Sequence, residues 1–167
     1  MGPVIVPSGS CAAMMAHHWT DLFAGTRDET AARSVAARVV ELSQALAEVE
    51  ARPAPHNGRA PIAYHGSCHL ERELHVRDEP RQLLSHAGYD VREPVGADRC
   101  CGFGGTFSVK MPAVSVAMAD EKLNALSATG AVTVVGCDLS CLVHLESRAR
   151  VRSMPLQFRH LAEVIDD

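Results

Sequence analysis

The chain has 167 residues, the length of one compact domain, and its balance of 47% hydrophobic to 22% charged residues excludes a disordered, collagenous or coiled-coil protein. A formal net charge of −4 and a pI near 6.1 leave no broad basic surface to meet a phosphate backbone, so no nucleic-acid partner is expected. Aromatic residues are only 4% of the chain, which leaves Ala, Val and Leu to fill the core and few rings on which bases could stack.

In chain order, Val4–Val6 is a short β-branched run that ends at Pro7-Ser8-Gly9-Ser10-Cys11, and a helical pattern follows from Ala12 to Phe23. Thr30 to Val49 lacks Gly and Pro and places Val35, Val39, Leu42, Leu46 and Val49 on one face, which predicts one long helix. Residues 51–61 hold three prolines and an Asn-Gly pair and read as a linker. Beyond it, Ile62–His65 is a strand entering Gly66-Ser67-Cys68-His69, Glu79–Ala87 a helix closed by Gly88, and Tyr89–Pro94 an extended piece. A glycine-rich loop, Cys100-Cys101-Gly102-Phe103-Gly104-Gly105, leads to a helix over Ala113–Ala128. Ala131–Gly136 is the clearest strand, followed by Cys137-Asp138-Leu139-Ser140-Cys141, a helix from Leu142 to Arg150, an extended stretch at Leu156–Phe158 and a terminal helix. Strands alternating with helices predict an α/β fold with a mainly parallel sheet flanked by helices.

A shift of 130 residues lays Val4 on Val134, Ile5 on Val135, Ser10 on Ser140 and Cys11 on Cys141. Leu46-Ala47-Glu48-Val49 recurs as Leu161-Ala162-Glu163-Val164. These matches predict an internal repeat.

No apolar run approaches the ~20 residues needed to cross a bilayer, and no basic flank precedes an apolar stretch near the N-terminus, where the first Arg is Arg27. A cytoplasmic, reducing location is therefore expected, in which the six cysteines are more readily metal ligands or redox groups than disulfides. Cys68, the pair Cys100 and Cys101, and Cys137 with Cys141 each fall where a strand passes into a loop or helix, the edge at which open parallel sheets gather ligands. Thirty-one residues separate Cys68 from Cys100 and thirty-five separate Cys101 from Cys137. Five sulfurs from three loops exceed what one tetrahedral ion uses and suit an iron–sulfur cluster, whose irons take soft thiolates.

Other readings stay open for individual residues. Cys137, at the end of a Val-rich strand, fits a packing role as well as ligation. His65 and His69 flank Cys68 as candidate ligands or proton carriers, although a histidine hydrogen-bonded beside a loop is the commoner state, and His17 and His18 are read the same way. Arg99 and Lys110 bracket the cysteine loop and could attract a carboxylate or screen a cluster, or simply be solvated. Phe103 and Phe107 are expected to shield the site, and Met14, Met15, Met111 and Met118 to pack. Thiol–disulfide exchange through Cys100 and Cys101 is a weaker reading, because no Cys-x-x-Cys of the thioredoxin kind is present.

The stretches Tyr64-His65-Gly66-Ser67-Cys68-His69-Leu70, Cys100 through Lys110 and His160-Leu161-Ala162-Glu163-Val164 resemble the cysteine-rich CCG domain found in heterodisulfide reductases and in the iron–sulfur proteins of glycolate and lactate oxidation. In detail they are similar to the lactate utilization protein A family, and the resemblance covers nearly the whole chain. It implies a two-repeat protein: residues 1–50 as the C-terminal half of a first CCG repeat, 51–61 as a linker, and 62–167 as a complete second repeat. It further implies an iron–sulfur cluster of the 4Fe–4S type and passage of electrons in oxidation of L-lactate, or a related 2-hydroxy acid, to the 2-oxo acid. Other subunits of a lactate or glycolate oxidation complex are the implied partners. By position the ligands are Cys68, Cys100, Cys101 and Cys141, with Cys137 less certain because three residues, not two, separate the last pair. Cys11 would be the last ligand of the first repeat. Zinc at the same thiols, or a cluster-free scaffold, is the alternative. An unpartnered repeat half predicts an exposed apolar face and self-association.

Overall fold

The computed structural model describes residues 2–49 and 58–165. Within them the chain is an α/β protein whose strands are all parallel. β1 (Val4–Val6) pairs with β2 (Val39–Glu41), Val4 lying opposite Val39. Between them a helix starts at Gly9, passes through a π-helical stretch at Met14–His18 and ends at Leu22. Ser8 caps its start, its hydroxyl accepting the Cys11 N–H at 3.4 Å.

The single helix expected over 30–49 is not formed. Helix Glu29–Ala36 stops, β2 runs from Val39 to Glu41, and a second helix spans Leu42–Ala47. Two adjacent β-branched residues, Val39 and Val40, meet the edge of β1, and pairing with that edge outweighs a helical pattern of Ala-rich sequence. Glu41 then starts the next helix: its carboxylate accepts the Ser43 N–H at 2.7 Å while Gln44 reaches back to the Glu41 N–H. Most of the expected linker, residues 51–57, lies outside the described residues.

The second sheet has the order β4-β3-β5-β6, from Val91–Arg92, Ile62–His65, Thr133–Gly136 and Gln157–His160. Helices Asp78–His86 and Leu161–Ile165 cover one face, where Ile62, Tyr64 and Val135 pack with Leu84, Leu161 and Val164. Helices Pro112–Ala128 and Leu139–Val151 cover the other, where Ala63 and Val134 pack with Leu123, Leu126 and Leu145. The chain leaves β3 toward one edge and returns past it to β5 toward the other. The strand order therefore reverses between β3 and β5, and in open parallel sheets the crevice at the carboxyl ends of such a pair is the ligand position.

The pair β1–β2 and its following helix have the same order as β5–β6 and Leu161–Ile165. The matching helices begin at Leu42 and Leu161, so the repeated Leu-Ala-Glu-Val tetrapeptide is one helical turn out of structural register. The apolar side chains of Ile5, Leu22, Val109 and Val143 are at least half exposed. Among the described residues no helix is long and apolar enough to cross a membrane.

Candidate metal centre

Alternation along β3 decides what each of its residues can reach. Ile62 and Tyr64 point into one core, so Ala63 and His65 face the other, toward Cys101 and Cys141. After His65 the chain turns at Gly66-Ser67 and enters a π-helical stretch at His69–Glu73, with Cys68 as its cap. A β-carbon on Gly66 would stand 2.1 Å from Glu71 Oε1, so the buried carboxylate occupies the space only glycine leaves.

The loop after β4 folds back to deliver Cys100 and Cys101. Gly102 holds φ at 87°, in the left-handed region, and a β-carbon there would meet the Ser115 carbonyl oxygen at 2.6 Å. The Ser115 hydroxyl donates to the Gly102 carbonyl at 2.7 Å and ties the loop to helix Pro112–Ala128. Cys141 sits in the first turn of helix Leu139–Val151.

Four thiols meet where these segments end. The Cys68 and Cys100 sulfurs lie 3.9 Å apart. The ligand atoms of His65, Cys101 and Cys141 all lie within 4.8 Å of one another, and all three residues are buried. Backbone N–H groups point at the adjacent pair, Gly102 donating to Cys100 Sγ at 3.3 Å and Phe103 to Cys101 Sγ at 3.5 Å.

The thiols share one another's charge. Hydrogen bonds from Cys101, then Cys68, together with the Gly102 amide, hold Cys100 far down, to about 2, while the donors Cys68 and Cys101 are pushed up. The thiols therefore titrate as one interacting group, in which Cys100 is the accepting sulfur. Burial, reinforced by Lys122, pushes His65 down to about 3, and both its ring nitrogens are buried without a hydrogen-bond partner. A neutral imidazole with one free lone pair, its ring nitrogens unpartnered beside two sulfurs, is a ligand-competent group, not the hydrogen-bonded loop histidine that is the commoner state. Soft thiolates, inward amides and an unpartnered imidazole fit a thiolate-ligated metal group.

Cys137 and Cys11 are not among the four. Cys137 is fully buried on the opposite face of the sheet, 3.6 Å from the Tyr64 hydroxyl, among Ile62, Val135 and Leu161. Cys11 is exposed and stands on the rim of a cavity of about 720 Å³ shared with Ser8, Phe103, Val143 and His144, whose lining carries no Lys or Arg. The segment that carries Cys11 is anchored by Asp138. That carboxylate accepts the Ser10 N–H at 2.8 Å and the Ser8 and Ser140 hydroxyls at 3.3 and 2.5 Å, and the Gly9 N–H reaches the Cys137 carbonyl at 3.2 Å.

Of the remaining candidates, His69 lies beside a thiol. His69 Nδ1 is 3.6 Å from Cys68 Sγ, and its Nε2 lies 3.6 Å from Glu73, which also contacts His18. His17 is exposed. Arg99 is exposed and paired with Glu121, and Lys110 is exposed. Phe103 and Phe107 are half-buried, the Phe103 ring 5.7 Å from that of His144. Met14 and Met111 are about half exposed and do not fill the core. Reading from sequence gives too little weight to His65, which strand alternation places, and misses Asp138 and Lys122. Lys122 carries no sequence signal, since a lysine in a helix is ordinarily solvated.

The stretch that carries the four thiols also matches a known family. The CCG cysteine-rich domain family matches residues 62–146. Lactate utilization protein A 2 of Bacillus cereus (strain Q1) is 37% identical over 168 residues, covering 97% of this chain and 68% of its own length. Lactate utilization protein A of Geobacillus kaustophilus is 40% identical over 168 residues, with 98% and 69% covered. Lactate utilization protein A 1 of Bacillus anthracis is 36% identical over 165 residues.

Proposed function

This chain belongs to the lactate utilization protein A family of CCG cysteine-rich domain proteins, and from that premise we propose that it is an iron–sulfur subunit serving the oxidation of L-lactate, or a related 2-hydroxy acid, to the 2-oxo acid. The observation that carries this reading is the convergence of Cys68, Cys100, Cys101 and Cys141, with unpartnered His65, at the carboxyl ends of β3 and β5. Those four thiols are the proposed ligands of a cluster of the 4Fe–4S type. Such a group, when bound, supplies one-electron transfer.

The residues around it bind and shield. Cys100 accepts from Cys68 and the Gly102 amide, the Phe103 amide donates to Cys101, and the Phe103 ring covers the side facing the cavity. A hydroxy acid brings a carboxylate, and the cavity edged by Phe103 has no Lys or Arg to meet it, its one imidazole, that of His144, being pushed toward the neutral form by burial. The organic oxidation is therefore assigned to partner subunits, with this chain as electron carrier in a reducing, cytoplasmic setting. The repeated order of β1–β2 and β5–β6 supports residues 1–50 as half of one CCG repeat, 51–61 as a linker and 62–167 as a second repeat.

A second reading has a specific observation behind it. One histidine and two cysteines within 4.8 Å make three legs of a tetrahedral zinc site at His65, Cys101 and Cys141. Anaerobic purification followed by iron, sulfide and zinc analysis separates the two. Iron and sulfide in matching amounts, with visible charge-transfer absorption lost on reduction, are expected. Zinc with no sulfide would replace the cluster reading by the zinc one.

A further inference from the structure

Lys122 is 1% exposed, on the face of helix Pro112–Ala128 that packs behind the cysteine loop. Its ammonium donates to the Ala97 carbonyl at 2.6 Å, three residues before Cys100. Among the described residues no carboxylate forms an ion pair with it. A buried cation held only by a neutral carbonyl is costly, and such groups are retained where an anion faces them. The groups whose field acts favourably on Lys122 are Glu71, Cys101, Asp98 and Glu93. Glu71 and Glu93 share Arg81, at 2.9 and 2.6 Å, and Asp98 is exposed. Of the four, the buried one that no basic side chain pairs with is Cys101, which is an anion when it ligates a metal.

We propose that Lys122 is the buried counter-charge of the thiolate-ligated group, holding its negative charge in a dry site and setting its reduction potential while fixing the 97–101 loop through Ala97. Lys122 is thus a positioning residue that touches no ligand sulfur. The proposal rests on the metal-centre reading above. A fixed positive charge favours the more negative, reduced state of the group and disfavours its loss.

The test uses the full chain as wild type, K122M and K122R, reconstituted anaerobically with iron and sulfide. Methionine keeps the length of the side chain and removes the charge. In K122M the equilibrium with a one-electron mediator should move about tenfold toward the oxidised protein, about 59 mV, while K122R keeps the wild-type potential. The metal-free K122M protein should unfold close to the wild-type temperature, since relief of a buried charge offsets the lost hydrogen bond to Ala97. A residue that merely packs would lower the unfolding temperature and leave the potential alone, and that result overturns the proposal. If wild type takes up no iron and sulfide, the cluster reading fails by itself. Cd(II) titration of the metal-free proteins then decides the role of Lys122: about tenfold weaker binding in K122M upholds it, as expected for one buried charge, and equal binding overturns it.

Discussion

Ser10 donates its backbone N–H to the Asp138 carboxylate at 2.8 Å, joining two segments 128 residues apart. Burial raises the pKa of Asp138, but hydrogen bonds from Ser10, Ser140 and the Cys141 amide outweigh it and hold the carboxyl below the usual range. The folded pKa is therefore depressed, and the stability it brings is present above pH 3.8 and lost as pH falls through the lower folded value. D138N keeps the shape and removes the charge. It should cost about 2 kcal/mol in urea unfolding at pH 7, and protease should cut residues 2–49 free first.

His65 produces acid sensitivity of a different window. Its folded pKa, about 3, lies below the ordinary 6.5, and it is the neutral form that the fold accepts. As pH falls below 6.5 the unfolded chain takes up a proton that the folded chain refuses, so stability declines down to pH 3 at up to about 1.4 kcal/mol per pH unit. Urea unfolding of metal-free H65L across this range should lack that slope. An unchanged slope would place the acid sensitivity elsewhere.

Gly102 is the tightest backbone constraint of the cysteine loop. In G102A the left-handed φ and the 2.6 Å approach to the Ser115 carbonyl act together, for a loss of about 3 kcal/mol. Because the Gly102 amide donates to Cys100, metal content should fall with stability. G105A is the control: its added carbon meets nothing within 4 Å, although its φ of 58° is also left-handed, so its loss should be the smaller.

Cys137 and Cys141 are separated by the thickness of the sheet. C141S should lose bound iron and sulfide, and C137A should keep both while losing about 1–2 kcal/mol from the Tyr64 core. Loss of iron from C137A would return that sulfur to the ligand set.

The alternating strand and helix order and the parallel sheet were legible because apolar runs and glycine stops are local signals, whereas strand ends singled out Cys68, Cys100, Cys101, Cys137 and Cys141 together and the set of four without Cys137 came from the family resemblance. The failures are tertiary. Val39–Glu41 becomes a strand only because β1 offers it an edge, and no window over 30–49 contains that edge. Cys137 is four residues from Cys141 and follows the same strand, but the alternation that turns His65 toward the thiols turns Cys137 away. Lys122 is buried by a loop arriving from 25 residues upstream.

The two outer sulfurs, Cys68 and Cys100, stand 3.9 Å apart and are half-buried, while Cys101 and Cys141 lie beneath them. Ageing in air should therefore have an order. Without metal, oxidation closes the outer pair into a disulfide first, a short movement for two thiols already in contact. That bond caps the inner pair and leaves an unloadable form, recognisable by a faster band on a non-reducing gel and restored by reductant.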